Sequence, residues 1–551
     1  MQLMRRFRLP AIFCALAVLV CALISRPYAN MGICDDGPYI LMAQHLANTG
    51  RIAYNGWAAP MLGWQLYLGA AFIKLFGFSL TTARMSTLLV AVTMAWLLQR
   101  TLVLANVTER NATLSTLALA LSPLYLMLSV TYMSDIFGLF AVVICLYGCL
   151  RALQASSERS AVAWLCFAVA GNALCGTARQ IAWLGILVMV PSTLYLLSSR
   201  RRVLIAGSAA SLAGAAFILA CMRWLSRQPY SVPQPIVVDG GEVFKALWRL
   251  SHAFMEMPFL LLPIVVLFLP ELRRNVRRSV KVASAASLTY LLYLLATYHW
   301  RAHIGHLHLL EPCMGDWVTP LGGFGSSGLA GRPSIFLHVP VRIGLTLASF
   351  GGMLGLIVSL LRHRKASCGM EDAPHLPWRQ IDVLLGPFAA AYVLVLLLPA
   401  ANAAIFDRYL LELAVVALPW IVRSYQERIR PAIPFAGYTL VAITAIYGFA
   451  CTHDMFAFYR ARVALAAEVR ARGVPDASVE YGWENGLVTA LRHPTHLGGE
   501  LGPQYHPVYA VGYQPDPRGG LAPFAPVHYS RWPYRGPGTL YVVRYLPPAK
   551  E

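Results

Sequence analysis

Asp35 and Asp36 are adjacent carboxylates just past an apolar run, Leu9 to Ser25, that follows the basic start Arg5, Arg6 and Arg8. Acids this close repel, so one holds its proton more tightly unless a cation or a substrate donor intervenes. A carboxylate so placed can take a proton from an acceptor hydroxyl while its neighbour orients substrate or a metal. Two solvated loop acids would read the same way. Asp135, in Tyr132-Met-Ser-Asp-Ile136, is a second acid at the end of an apolar segment, where Ser134 or Asp135 would equally cap a helix. Arg179, in Thr177-Ala-Arg-Gln180, is of the type that grips a phosphate through two parallel hydrogen bonds, or that snorkels to a membrane interface. Asp407-Arg408-Tyr409 opens a later apolar segment, where a local ion pair and a helix cap are the simple reading. His299, His303, His306 and His308 with Glu311 match no tight metal spacing, and Glu484 in Tyr481-Gly-Trp-Glu-Asn-Gly486 reads as a turn.

The elements that must carry these residues are membrane spans. The 551 residues are 58% hydrophobic and only 13% charged, which excludes a soluble architecture. Hydropathy predicts about 13 spans, near 9–25, 80–99, 112–130, 136–150, 161–177, 181–197, 203–222, 257–270, 280–298, 339–360, 381–399, 409–422 and 433–450. The first could pass for a signal peptide, but the many spans that follow argue for an uncleaved anchor. The net charge of +20 is a topology signal rather than a nucleic-acid footprint. With the N-terminus in the cytoplasm, the inner connections collect Arg200 to Arg202, Arg273 to Lys281 and Arg362 to Lys365. The eleven cysteines are scattered without a CxxC pair, so neither disulfides nor zinc follow.

An odd number of spans leaves the C-terminus outside, together with the loops of about 26–79 and 299–338. In the first loop Tyr39, Ile40, Met42, Ala43 and Leu46 recur at helical spacing, which predicts a short amphipathic helix on the membrane surface. Met61 to Phe78 is a second stretch expected to dip into the interface. Beyond residue 452 the chain turns rich in Pro, Gly and Tyr, with a helix expected over Asp454 to Arg472 and a strand over Thr539 to Tyr545. The expected organisation is an all-α polytopic domain over 1–451 and a small mixed α/β domain over 452–551.

These features together resemble the GT-C glycosyltransferases, in the branch that contains protein O-mannosyltransferases and lipid A aminoarabinose transferases (family 39-like). Asp35-Asp36-Gly-Pro-Tyr39 stands where the family carries Asp-Glu-x-x-Tyr, and Asn55-Gly-Trp57 follows an amphipathic helix. The resemblance continues in Ser134-Asp135, Arg179-Gln180 and Phe406-Asp-Arg-Tyr-Leu410, so it runs through most of the membrane region. It departs at Asp36, where Glu is usual, and at Ala58-Ala59-Pro60, where many relatives have Lys-Pro-Pro and a phosphate-binding lysine.

The resemblance implies an inverting transferase of the bacterial inner membrane. It would move a sugar from a polyprenyl-phosphate donor to a periplasmic lipid, glycan or protein. Asp35 matches the family's catalytic Asp. Asp36 and Asp135 are expected to position substrate or a divalent cation, and Arg179 to steady the departing phosphate. Tyr39, Gln180, Asp407 and Arg408 are the further substrate-binding candidates. Two other classes remain open: a transporter or flippase of lipid-linked glycans, and a non-catalytic relative that assists assembly. A transporter would place its site near the bilayer midplane, whereas these ionisable residues gather at one face.

Overall fold

The computed structural model describes residues 9–232, 253, 256–296, 317–319, 322–323, 329, 331, 336–361, 376–397, 406–475, 478–491, 508–516, 524–534 and 536–544. The chain enters through α1 (Leu9–Ile24) and folds its first loop into α2 (Asp36–Thr49) and α3 (Gly63–Phe76). It continues through α4 (Leu80–Leu104), α5 (Glu109–Ala120), α6 (Pro123–Ser129), α7 (Asp135–Leu153) and α8 (Glu158–Cys175). A tight turn at Gln180–Trp183 and a widened turn at Gly185–Met189 lead into α9 (Val190–Leu196), then α10 (Arg201–Leu225). After these come α11 (Leu262–Val265), α12 (Leu269–Arg274), α13 (Val276–Ala296), α14 (Val339–Leu360) and α15 (Trp378–Leu397). The turn Asp407–Leu410 runs into α16 (Leu411–Arg428), which is followed by α17 (Phe435–Ala471).

The chain is a multi-pass membrane protein. Among the described residues six helices are long and apolar enough to cross a bilayer, namely α4, α7, α10, α14, α15 and α17, or seven if α5 and α6 form one span. Leu212 and Leu219 on α10 are 71% and 70% exposed, as expected of side chains that face hydrocarbon rather than protein. Several of the other expected spans are shorter, broken or more charged, for local reasons. The stretch 112–130 bends by 69° between α5 and α6, where Pro123 lacks an N–H and the Ser122 hydroxyl caps the new helix by accepting from the Tyr125 amide at 3.3 Å. The stretch 257–270 is broken by Pro263 and Pro270, each within the first turn of its own short helix, α11 and α12. Helix α1 has only 16 residues, and α16 carries Glu412, Arg423, Glu427 and Arg428.

The first loop corrects one expectation. The apolar stripe of α2 does not lie on the membrane surface: Tyr39, Ile40, Met42, Ala43, Leu46 and Ala47 are buried against protein, chiefly α3. Helix α3 is the element that shows apolar side chains outward, with Tyr67, Leu75 and Phe76 more than half exposed.

The last span does not stop at the membrane. Helix α17 is a single run of 37 residues, so the helix expected over 454–472 is its continuation and residues 451 and 452 are consecutive positions within it. On its C-terminal end sits a four-stranded sheet of β1 (Val479–Glu480), β2 (Tyr509–Gly512), β3 (Val527–Tyr529) and β4 (Gly538–Arg544), in the order β1-β2-β4-β3. Strand β1 runs parallel to β2, and β4 pairs antiparallel with both β2 and β3. Between β1 and β2, helix α18 (Trp483–Leu491) packs on α2. Glu484, read as a turn residue, is buried on α18, ion-paired with Arg462 at 3.0 Å and accepting from the Tyr459 hydroxyl at 2.8 Å. The tail is thereby fastened to the membrane region through α17.

Candidate active site

The site begins where the first loop turns into α2. Asp35 precedes the helix and Asp36 is its first residue. The backbone turns at this junction, with Asp35 outside the helix and Asp36 within it, and the two carboxylates part. Asp36 turns inward. Its oxygens take Arg84 Nε at 2.7 Å, Arg84 Nη2 at 3.1 Å and the Ile33 amide at 2.7 Å, and both charged groups are fully buried. Arg84 also donates to the carbonyls of Ala29 and Met31, at 2.8 Å and 2.5 Å, and so holds the loop that leads to Asp35.

Asp35 turns the other way, into a cavity of about 520 Å³. Asn55, Gly56 and Trp57 fold back over it. Gly56 has φ +81, a conformation costly for any residue with a Cβ. The Asn55 side chain donates to the Pro38 carbonyl at 3.0 Å and accepts from the Trp57 amide at 3.3 Å. The Trp57 indole N–H then donates to Asp35 Oδ1 at 3.0 Å. Burial raises the Asp35 carboxyl above its ordinary 3.8; Arg408 and the Trp57 hydrogen bond oppose the rise, and Asp135 and Asp36 add to it.

The opposite wall comes from α7, the turn before α9, and the turn before α16. Asp135 is the first residue of α7, and the Ser134 side chain makes no capping bond. Arg179 lies across α7 with its Nη1 paired to Asp135 Oδ1. Gly138 permits this, since a Cβ there would meet Arg179 Cδ at 2.7 Å. The Arg179 guanidinium stands 4.7 Å from the Tyr409 ring centre, and its Nε is 3.6 Å from Glu412 Oε1. Arg408 approaches the same Asp135 oxygen at 3.9 Å and lies 4.8 Å from the Phe406 ring centre. Asn172 fixes the irregular turn that carries Arg179 and Gln180. It donates to the carbonyls of Ala141 and Ala182 and accepts from the Ile186 amide, at 2.8 Å, 2.9 Å and 3.2 Å.

Of the sequence-selected residues, Asp35, Tyr39, Asp135, Arg179, Gln180 and Arg408 line this one cavity. Asp36 and Asp407 do not. The Asp407 carboxylate is buried and accepts the amides of Trp317, Val318 and Arg408, at 3.0 Å, 2.7 Å and 2.7 Å, which fixes the backbone that presents Arg408. Glu412 and Arg84 were not singled out from sequence, although an acid and an arginine within apolar runs are costly and need a partner. The histidine cluster near 299–308 lies outside the described residues. Among the described residues no three His, Cys, Asp or Glu side chains gather as a metal site. Asp35 is held by an indole N–H and Asp135 by two arginines, which is a poor ligand set for a divalent cation.

Residues 58–226 match the family model described as dolichyl-phosphate-mannose-protein mannosyltransferase. That stretch holds Asp135, Arg179 and Gln180. ArnT from Cupriavidus metallidurans in the apo state aligns over 97% of this chain and 97% of its own, at 15% identity and a TM-score of 0.41. The same protein bound to undecaprenyl phosphate aligns over 96% and 97%, at 14% identity and a TM-score of 0.39. The oligosaccharyltransferase of Archaeoglobus fulgidus, in complex with zinc and sulfate, aligns over 79% of this chain and 53% of its own, at 14% identity and a TM-score of 0.42. No curated protein sequence matches the chain significantly. The family match and the motif resemblance meet on the GT-C glycosyltransferases.

Proposed function

We propose that this chain is an inverting glycosyltransferase of the bacterial inner membrane. It moves a sugar from a polyprenyl-phosphate-linked donor to an acceptor hydroxyl on the periplasmic face. One observation carries the reading: a carboxylate, two arginines and a cluster of aromatic side chains from separate parts of the sequence converge on one cavity. That is the chemistry needed to deprotonate a nucleophile on one side and hold a leaving phosphate on the other.

In this reading Asp35 takes the proton of the acceptor hydroxyl. The freed oxygen attacks the anomeric carbon from the face opposite the phosphate, and the carbon–oxygen bond to polyprenyl phosphate breaks. Arg179 and Arg408 receive the charge that builds on the phosphate, and Asp135 keeps both guanidinium groups in place until the donor arrives. Trp57 fixes the rotation of the Asp35 carboxylate, while Tyr39 and Gln180 line the space left for the sugar. Val395, Leu396 and Phe406 offer the apolar wall along which the lipid would leave. Asp36 and Asp407 act through the backbone they hold. No step is drawn through a divalent cation.

The test is direct. Lipid extracts and surface glycans from cells with and without the gene are compared by mass spectrometry, and the sugar and acceptor that change are then supplied to purified protein. Transfer with inversion and release of polyprenyl phosphate is the expected result. Transport of the intact lipid-linked glycan without transfer would overturn the reading.

A further inference from the structure

Arg179 is held on two sides by carboxylates, Asp135 at Nη1 and Glu412 at 3.6 Å from Nε. Glu412 is fully buried. An anion that engages a guanidinium by two parallel N–H bonds needs one of its edges, and both edges of Arg179 already include a nitrogen facing one of these acids. A bound phosphate therefore separates Arg179 from at least one of them. The two acids differ in what they keep. Asp135 retains Arg408, 3.9 Å away. Glu412 keeps only a neutral group beside it, the Tyr392 hydroxyl, whose proton goes to the Tyr409 carbonyl at 2.9 Å; among the described residues the cation paired with it is Arg179.

The charges give the same answer. Arg179 and Arg408 face Asp35, Asp135 and Glu412, a net charge of −1 before any ligand binds. A phosphodiester brings this to −2 beside the fully buried Glu412, and a buried carboxylate that loses its counter-ion takes a proton instead. Resting on the donor class proposed above, we infer that Glu412 is the proton-linked gate of the donor site: phosphate displaces it from Arg179, and it takes one proton from solvent as the phosphate enters. The bond made is O–H on Glu412, nothing is oxidised or reduced, and the proton returns to solvent when the lipid phosphate departs. Glu412 is thus a positioning residue for Arg179, and lower pH favours loading of the donor.

The probe is the methyl phosphodiester of a long-chain polyprenol, which carries one negative charge and does not titrate near neutral pH. Its binding to the purified full-length protein is followed by calorimetry in two buffers of different ionisation enthalpy. Wild type is expected to take up about one proton per lipid bound, and its affinity to fall up to about 10-fold per pH unit as pH rises through neutrality. Glu412→Gln, which has the same shape, is expected to bind with no proton uptake and a flat pH dependence. Binding by wild type without proton uptake overturns the inference and leaves the proposed function standing. Uptake that persists in Glu412→Gln and vanishes in Asp135→Asn overturns it as well, by assigning the proton to the other acid. Absence of binding at every pH, in wild type of intact fold, overturns the donor class and the inference with it.

Discussion

The indole N–H of Trp57 donates to Oδ1 of Asp35 across 22 residues of the first loop, and this bond leaves the second carboxylate oxygen to the cavity. Loss of the base and loss of its orientation should therefore separate. Asp35→Asn keeps shape and removes proton acceptance, so kcat should fall by on the order of 10²–10⁴ with donor affinity retained. Trp57→Phe removes one hydrogen bond to a charged acceptor and should cost about 10-fold in kcat. Steady-state kinetics beside donor-binding assays decide it, and equal turnover of Asp35→Asn and wild type removes Asp35 from the mechanism.

The same bond sets a pH signature. Burial raises the Asp35 carboxyl above 3.8, and the Trp57 N–H holds part of that rise back. Only the ionised carboxylate accepts a proton, so activity is lost as pH falls through the raised value. The acid limb of kcat/KM should lie above the ordinary aspartate range and move to still higher pH in Trp57→Phe. A limb that does not move would mean that another group titrates.

Asp36→Asn should behave as a stability variant. Removing one partner of a buried pair leaves Arg84 with an uncompensated charge, at a cost of about 3–5 kcal/mol. Thermal unfolding in detergent should show a lower midpoint, and the folded fraction should keep its donor affinity. A variant of native stability with specifically lost catalysis would return Asp36 to the reacting atoms.

Arg179→Ala should weaken donor binding, and Arg179→Lys should recover only part of it, because an ammonium cannot present two parallel N–H bonds. Gly138→Ala offers a test that changes no charge. Its Cβ would stand 2.7 Å from Arg179 Cδ, so the guanidinium must shift, and donor affinity should drop while the fold persists. Unchanged affinity in all three variants would make Arg179 an interfacial anchor.

The proposed orientation is checked with single thiols in a cysteine-free background. A thiol at Val508, which is 58% exposed in the tail, should react with an impermeant reagent in spheroplasts, and one at Asn275 should not. Labelling at Asn275 alone would put the cavity on the cytoplasmic face.

Much of the cavity was legible because its residues violate the hydropathy around them. Asp35, Asp135 and Arg179 stand at the ends of apolar runs, where a charge needs a reason. What adjacency hides is direction. Asp35 and Asp36 look equivalent as letters, yet the turn into α2 sends one to the cavity and the other to Arg84, 48 positions away. Glu412 carried the same signal as the aspartates but sat in a segment read only as a span, four residues beyond Arg408 in the first turn of α16. Pro123, Pro263 and Pro270 interrupt apolar runs that average hydropathy treats as continuous, a local detail that no window average carries.

Helix α17 has 37 residues, a rod of about 55 Å against a hydrocarbon layer of about 30 Å. Its outer portion is therefore a lever arm of about 25 Å with no joint at its fulcrum. Transmembrane helices answer a change in bilayer thickness by tilting. A tilt of about 10° in α17 carries the far end of such an arm sideways by about 4 Å. Glu484 ties α18 to that arm, and α18 rests on α2, whose first residue follows Asp35, so the arm and the loop that carries the base share one unbroken run of packed helices.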